Sequence, residues 1–184
     1  MATPERTTGL TYADLERMYP EDNRKIELID GELAMTAAPI HRHQTVVMRI
    51  GHALFTYASQ QGGEAFNVSM DMYVSDRNVL QPDVLYRSPS DIEPGEDRVI
   101  RRATLVVEVS SPSTRRRDLG RKMELYAQLR IPEYWFVDLD ADRIDVYRLA
   151  GDAYGPPAAS LARGETLTSP NLPGFELEVA EALG

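Results

Sequence analysis

Cysteine is absent from this 184-residue sequence, which excludes a disulfide framework, a thiolate nucleophile and a zinc site with cysteine ligands. Long hydrophobic runs are absent as well, since no uninterrupted apolar stretch approaches the roughly 18 residues that a membrane span needs. The N-terminal stretch MATPERTTGL lacks the basic leader and apolar core of a signal peptide. We therefore expect a cytoplasmic protein with no membrane segment.

Two catalytic motifs are also missing. The sequence has no Gly-x-Ser-x-Gly turn of a serine hydrolase and no phosphate-binding loop of a nucleoside triphosphatase. Basic residues are outnumbered by acidic ones, 20 to 29, which gives a formal net charge of -9. Such a charge repels polyanions on average and counts against a protein that coats nucleic acid, although it does not exclude a local basic surface.

The spacing of apolar residues predicts alternating helices and strands in a single domain over residues 1–184. The predicted elements are a short helix in TYADLERMY, a hairpin in KIELIDGELAMT around Gly31, a long helix from HRHQ to Gly62, a strand in EAFNVSMDMYVSD, a strand in VLQPDVLYR that begins or lies at an edge near Pro82, a strand in TLVVEVS, a helix in RRRDLGRKMELYAQLR, and a hairpin in EYWFVDLDADRIDVYRL. The Gly- and Pro-rich remainder predicts one late strand.

A strand, helix and strand follow one another over residues 104–139, and such a crossover makes the two strands parallel. Because the other predicted strands form local antiparallel pairs, we expect a mixed sheet. In TLVVEVS, Val106 and Glu108 share one face of the strand, and Leu105, Val107 and Val109 share the other. Neither face has the pattern of a sheet side open to water. The expected fold is therefore α/β (α+β), with helices on both sides of the sheet.

Two strands each carry one carboxylate among apolar neighbours: Asp83 in QPDVLYR and Glu108 in LVVEVSSPS. An isolated ionised carboxylate on a buried strand is unfavourable unless it meets a cation or a donor. Antiparallel pairing across the loop at 88–103 would bring both to one end of the sheet, where two hard oxygen ligands suit Mg²⁺. Two other interpretations stay open: Asp83 as a turn residue beside Pro82, and Glu108 as the partner of a buried arginine.

The helix after this strand carries a lysine on its apolar side. At about 100° per residue, Lys122 falls within the arc marked by Leu119 and Tyr126. Asp118, four residues earlier, lies at the margin of that arc and can orient the ammonium group. The alternative is a snorkelling side chain whose ammonium group reaches water. Two acids and a lysine around a divalent ion indicate phosphodiester hydrolysis, since the metal activates water and the lysine stabilises developing charge.

Three further features have both a structural and a functional interpretation. His41 and His43 precede a helix, where they cap exposed amides or contact a substrate. The basic run Arg115–Arg117, with Arg121, is either a phosphate-docking surface or a solvated helix start. The single tryptophan, in EYWFVDL, is interpreted as packing.

Six segments together look like one protein family: RKIELIDGEL, HRHQ, QPDVLYR, LVVEVSSPST, DLGRKMELYAQLRIPEYWFVD and LPGFELEV. Over about residues 10–180 they resemble the bacterial Uma-two family of restriction-endonuclease-like proteins, within the PD-(D/E)XK nuclease superfamily. The resemblance implies a restriction endonuclease-like mixed sheet flanked by helices. It also implies Asp83 as the aspartate of the PD half and Glu108 as the (D/E) residue.

The resemblance further concerns a lysine and an early acidic residue. The superfamily pattern places lysine two residues after Glu108, where this chain has Ser110. Lys122 resembles the migrated lysine of divergent members. Glu27 matches an early acidic position of the family that supports the metal site or positions water, and Glu32 is the competing choice.

A metal-dependent endonuclease is the function these residues lead us to expect. Asp83 and Glu108 would bind Mg²⁺ (or Mn²⁺), Lys122 would assist the water or the transition state, and Glu27 would support them. By resemblance, the substrate is DNA and the protein is a homodimer. The alternative is a catalytically inactive nuclease-fold protein acting as a dimeric interaction or nucleic-acid-binding scaffold; RNA is a further candidate substrate.

Overall fold

The computed structural model describes residues 8–20, 25–35, 39–67, 70–95 and 99–184. Its helices are α1 (Tyr12–Met18), α2 (His41–Gln61), α3 (Arg115–Arg117), α4 (Met123–Gln128) and α5 (Val179–Leu183), with a 3-10 turn at Pro89–Asp91 and a π turn at Asp118–Lys122. Its strands are β1 (Ile26–Ile29), β2 (Glu32–Met35), β3 (Glu64–Phe66), β4 (Asp71–Ser75), β5 (Asn78–Leu80), β6 (Val84–Arg87), β7 (Val99–Ile100), β8 (Leu105–Val109), β9 (Glu133–Asp138), β10 (Arg143–Ala150), β11 (Ala153–Tyr154), β12 (Ala159–Ala162), β13 (Thr166–Ser169) and β14 (Leu172–Glu178). Within these ranges, every helix is too short or too polar to cross a membrane.

The larger sheet is mixed, as the sequence predicts. Its strand order is β11-β10-β9-β8-β6-β3, and β12 also pairs with β10. β8 and β9 run parallel, whereas β6 pairs with β8, and β9 with β10, in the antiparallel sense. α3, the π turn and α4 form the crossover between these two parallel strands, and they bring Lys122 and Tyr126 to Glu108 of β8.

The smaller sheet has the order β2-β1-β5-β4-β7, and β13 and β14 form a separate hairpin. The predicted hairpin of β1 and β2 is confirmed. It turns at Asp30 and Gly31, which have φ angles of 54° and 78°. Two successive residues with positive φ give a tight turn whose twist matches that of the strands. This turn fixes the register in which Glu27 pairs with Ala34.

Helices cover both faces of the larger sheet. On one face, Ile50 and Leu54 of α2 belong to the same buried cluster as Val107 of β8. On the other face, Tyr126 of α4 belongs to a second buried cluster with Val106. The alternation of side chains along β8 therefore points neighbouring residues into different cores. This arrangement confirms the predicted mixed sheet flanked by helices.

The prediction of a single strand in EAFNVSMDMYVSD is wrong. β3 pairs with β6 in the larger sheet, whereas β4 pairs with β5 and β7 in the smaller one. Residues 68–69, between them, lie outside the described ranges. A period of two indicates that one side of a strand is buried, but it does not indicate which sheet the strand joins.

The stretch VLQPDVLYR is also divided between the two sheets. β5 ends before Pro82, and β6 begins after it at Val84, as a residue without an amide hydrogen favours. β6 is nevertheless an inner strand, between β8 and β3. Asp83 thus occupies the short connection from one sheet to the other.

The C-terminal part has four strands, β11 to β14, where the sequence predicts one. β11 and β12 each pair with β10, and their residues are exposed or half-buried. Short strands with little buried surface carry a weak hydrophobic pattern, which explains the missed elements. The single domain over 1–184 stays a prediction.

Candidate active site

Ionisable side chains from both sheets and from the π turn meet at the end of β8. We call this group the charged cluster; its members are Lys25, Glu27, Asp83, Glu108, Asp118 and Lys122. It contains more carboxylates than ammonium groups. It is the region in which the sequence predicts a metal site.

Asp83 reaches the cluster because of the strand register. Val84 pairs with Val107 across β6 and β8, so the residue before Val84 lies opposite Glu108. The backbone amide of Val109 donates to Asp83 Oδ2 at 2.8 Å. Asp83 lies in a bend beside Pro82, as the turn interpretation has it, and its carboxylate is in addition anchored to the end of β8.

Glu108 is buried on the face of β8 that α4 covers. Its Oε1 lies 2.5 Å from Lys122 Nζ and accepts a hydrogen bond of 2.6 Å from the Tyr126 hydroxyl. Its Oε2 lies 3.6 Å from Lys25 Nζ. The alternative in which Glu108 pairs with an arginine is wrong, because lysines hold this place. Burial raises the pKa of Glu108 to about 7, which the two ammonium groups only partly oppose.

Lys122 points into the protein, and its side chain is 1% exposed. Its Nζ lies 2.7 Å from Glu27 Oε1, 2.5 Å from Glu108 Oε1 and 4.0 Å from Asp118 Oδ1. The snorkelling interpretation is wrong, since the ammonium group does not reach water. Burial acts to lower the pKa of Lys122, but the charges of Glu108 and Glu27 outweigh it and raise that pKa.

Glu27, and not Glu32, belongs to the charged cluster. Glu27 is fully buried on β1, whereas Glu32 is exposed on β2. The backbone amide of Gln81 donates to Glu27 Oε1 at 2.9 Å. Burial acts to raise the pKa of Glu27, but the nearby ammonium groups of Lys122 and Lys25 outweigh it and lower that pKa. Glu27 is thus the glutamate that lies in the charged cluster, and its role there stays a prediction.

Lys25 is the member of the cluster that the sequence reasoning missed. It directly precedes β1, and its Nζ lies 2.8 Å from Asp83 Oδ1. Its side chain is 23% exposed, so it lies on the open side of the cluster. A signal for it exists in the sequence: residues two apart on a strand share a face, so placing Glu27 in the site also places Lys25 there.

His43 also approaches the cluster, from the first turn of α2. Its Nε2 lies 3.5 Å from Asp83 Oδ2, and its side chain is 12% exposed. Within the described ranges, its buried Nδ1 has no hydrogen-bond partner. The capping interpretation is wrong, because the residue at the N-cap of α2 is Ile40, without a side-chain cap. Contact of His43 with a substrate stays a prediction, whereas His41 is exposed.

The basic run after β8 has divided partners. Arg115 pairs with Asp138 at 2.6 Å, and Arg117 Nη2 lies 3.8 Å from Glu27 Oε2. Arg116 is exposed. The tryptophan of EYWFVDL, Trp135, is fully buried, which confirms packing as its structural role. The phosphate-docking role of the arginines stays a prediction.

Asp83 and Glu108 provide the kind of oxygen ligand that magnesium prefers. One oxygen of each carboxylate faces the same cation, the Lys25 ammonium group, so both present negative charge to one place. In the part of the chain that the structure describes, no three His, Asp or Glu side chains form a group that could hold a metal. Mg²⁺ is commonly held by one or two carboxylates and keeps several waters, so two protein ligands are enough.

Comparisons with known proteins agree with this architecture. A family model described as "Uma2: Putative restriction endonuclease" matches residues 12–180. No curated protein matches the chain. A crystal structure from Anabaena variabilis ATCC 29413, described as a "putative nuclease belonging to DUF820", matches with a TM-score of 0.72 and 17% sequence identity. The match covers 95% of this chain and 97% of that one, and it shows a shared fold.

Proposed function

Because the chain belongs to the Uma2 family, we propose that it is a metal-dependent endonuclease that hydrolyses phosphodiester bonds of DNA. The observation that carries the proposal is the convergence of the Asp83 and Glu108 carboxylates on one cation at the end of β8. Two carboxylates that share a cation position at the end of a strand are a suitable arrangement for divalent metal catalysis.

Asp83 and Glu108 are the proposed ligands of Mg²⁺ or Mn²⁺. When bound, the metal would lower the pKa of a coordinated water and polarise a phosphoryl oxygen. The two carboxylates are held by different means. Asp83 accepts from the Val109 amide, and Glu108 accepts from the Tyr126 hydroxyl. Each therefore keeps its position without the metal, which is the preorganisation that such a site requires.

Lys122 and Glu27 would support the ligands from the buried side. The ammonium group of Lys122 bridges Glu27 and Glu108, so it fixes the orientation of the second ligand. It also adds positive charge to a site in which negative charge develops during hydrolysis. Glu27 in turn holds that ammonium group in place. We assign both as positioning residues, because neither reaches the open side of the cluster.

The test is cleavage of supercoiled plasmid and of single-stranded DNA in Mg²⁺ and, separately, in Mn²⁺. We expect the protein to nick plasmid, and we expect Asp83→Asn to lose at least about 100-fold in rate, as removal of a preorganised charged group does. Asp152→Asn is the matched control, because Asp152 is exposed on a surface pair with Arg130. A single-stranded RNA arm tests the further candidate substrate.

A catalytically inactive scaffold is the second candidate. It is favoured by the net charge of -9 and by the lysines that already neutralise the proposed ligands. Calorimetry with Mn²⁺ separates the two candidates. Absence of binding, together with an inert protein in every cleavage arm, would leave the scaffold; cleavage that survives Asp83→Asn would indicate a contaminant or a different site.

A homodimer is part of the proposal by resemblance to the family, since such folds often work as homodimers to reach both strands of a duplex. Sedimentation equilibrium measures the oligomeric state directly. A mass of 20.6 kDa at all concentrations would correspond to one chain and would contradict the dimer.

A further inference from the structure

Lysine is confined to one place in this protein. Of the 20 basic residues, only Lys25 and Lys122 are lysines, and both ammonium groups lie in the charged cluster. Arginine therefore provides every other basic residue of the sequence. Lysine is a compact charge on a flexible stem that changes partners easily, whereas the guanidinium group favours fixed, planar pairs. This distribution indicates a need for ammonium chemistry within the cluster.

The two lysines have different surroundings. Lys122 is enclosed by Glu27 and Glu108, and the Tyr126 hydroxyl binds the same Glu108 oxygen. To reach a substrate, Lys122 would have to leave two buried carboxylates, and an unpaired buried charge is strongly destabilising. Its position therefore suits a permanent internal counter-ion.

Lys25 lies where solvent enters the cluster. Its nearest partner, Asp83, is 10% exposed, and Lys25 itself is the more exposed of the two lysines. The ammonium group is 2.8 Å from Asp83 Oδ1 and 3.6 Å from Glu108 Oε2. Both of these residues are the proposed metal ligands. Lys25 thus lies within reach of both carboxylates, on the more exposed side of the cluster.

We propose that Lys25 is the lysine that contacts the scissile phosphate, and that it holds the cation position between Asp83 and Glu108 until a divalent metal displaces it. This inference rests on the proposed nuclease function. It assigns the substrate-contacting role to a different lysine from Lys122, which helical spacing and the family resemblance indicate.

The exchange follows from charge. Asp83 and Glu108 need a cation between them when both are ionised, and a divalent ion neutralises the pair better than one ammonium group does. Once displaced, the ammonium group of Lys25 remains attached at the border of the site by a flexible stem. A phosphodiester is then the anion it can pair with. Before metal binding, the ammonium group of Lys25 would reduce the repulsion between the two carboxylates. After metal binding, it would stabilise the negative charge of the phosphate.

A merely structural ion pair between Lys25 and Asp83 makes different predictions. It would leave the exposure of the ammonium group unchanged when metal binds. The proposed exchange instead predicts that metal binding releases the ammonium group from Asp83 and Glu108 and makes it more exposed.

Acetylation of the native protein tests the exchange without using activity. An N-hydroxysuccinimide ester modifies accessible amines, and peptide mass spectrometry distinguishes Lys25 from Lys122. We expect Mn²⁺ to increase acetylation of Lys25 and to leave Lys122 unmodified, so Lys122 is the internal control. Identical acetylation of Lys25 with and without Mn²⁺ would overturn the proposal, provided that calorimetry detects Mn²⁺ binding.

A variant tests the role in catalysis. We expect Lys25→Met to bind Mn²⁺ at least about tenfold more tightly and to cleave plasmid about 10²- to 10³-fold more slowly than wild type. Arg130→Met is the matched control, because it removes one positive charge from an exposed surface pair. If Lys25→Met fails to fold, the acetylation measurement on the wild-type chain still decides.

The outcomes separate the two proposals. A wild-type protein that binds Mn²⁺ and cleaves, beside a Lys25→Met variant that does both equally well, would overturn the role of Lys25 and leave the nuclease intact. A wild-type protein that neither binds Mn²⁺ nor cleaves would overturn the proposed function, and the role of Lys25 with it.

Discussion

Two buried carboxylate sites in this protein differ in how their charge is balanced. Glu133, at the start of β9, accepts from Trp135 Nε1 at 2.6 Å, from Ser169 Oγ at 3.0 Å and from Asn171 Nδ2 at 3.0 Å, and it pairs with Arg148. One carboxylate therefore has one cation and three neutral donors. In the charged cluster, four carboxylates share the ammonium groups of two lysines, and the Arg117 guanidinium group lies 3.8 Å from one of them, Glu27.

The difference separates a structural site from a candidate functional one. Every donor around Glu133 is fixed by its own element, so the site is complete as it stands. The charged cluster instead contains like charges close together, which costs stability unless a further cation binds. Crowding of carboxylates, and not burial of a single one, is therefore the feature that points to metal chemistry.

Lys122→Met should give the largest effect. The substitution leaves Glu27 and Glu108 buried without their shared cation, and we expect a loss of about 3–5 kcal/mol in the free energy of unfolding. Urea denaturation measures it. Arg148→Met is the comparison variant: its side chain is 40% exposed and Glu133 keeps three other donors, so the loss should be clearly smaller. Equal losses in the two variants would break the contrast between the sites.

Glu133→Gln should have an intermediate effect that is confined to stability. The amide group of glutamine would place a donor next to the donors of Ser169 and Asn171, where an acceptor is needed. We expect the free energy of unfolding to fall by about 1–3 kcal/mol. Plasmid cleavage per folded molecule should be unchanged. Reduced cleavage by a fully folded Glu133→Gln protein would mean that this site is not purely structural.

The stability of the metal-free protein should depend on pH through Glu108. Its pKa is raised to about 7 from an ordinary value of 4.5, so between these values the native state holds a proton that the unfolded chain releases. Stability should therefore fall by about 1–2 kcal/mol as pH rises from about 5.5 to 7.5, and level off above that. Denaturation in EDTA at several pH values measures the slope.

Glu108→Gln is the control for this slope, because glutamine does not titrate. The variant should show a flatter dependence on pH than wild type over the same interval. A wild-type stability that rises with pH there would contradict the sign of the effect.

Asp30→Asn should have the smallest effect. Asp30 pairs with Arg121 on the surface, and exposed pairs contribute less than about 1 kcal/mol. Asparagine also tolerates the positive φ of this turn position. The midpoint of thermal unfolding should hardly change. Such a result would demonstrate that the ion pairs of the cluster contribute more to stability because they are buried. A loss as large as that of Lys122→Met would contradict this view.

The central geometry of the site was predictable from the sequence because it depends on strand alternation. Asp83 and Glu108 interrupt apolar strands, and antiparallel pairing sets them opposite each other. Lys122 was predicted from helical spacing. The helix is in fact irregular, yet the turn still directs Lys122 inward. The family resemblance is confirmed, whereas the roles of these residues remain proposals.

Lys25 and His43 were not placed by the sequence for a different reason. Both reach Asp83 from parts of the chain that are distant in sequence, the residue before β1 and the first turn of α2, and local periodicity alone does not report contacts between elements. A count of residue types would have indicated Lys25, since the sequence contains only two lysines. The division of residues 64–75 between two sheets was missed because alternation does not specify a partner strand.

The π turn at Asp118–Lys122 determines how far α4 is rotated about the helix axis relative to α3. Its Gly120 departs from helical geometry, with φ and ψ of -118° and -105°. Deleting Gly120 would turn one helix by about 100° relative to the other, since each helical residue adds that angle. A rotated α4 would withdraw Tyr126 and Lys122 from Glu108 together. The length of this turn, as much as the identity of its residues, therefore sets whether the site can assemble.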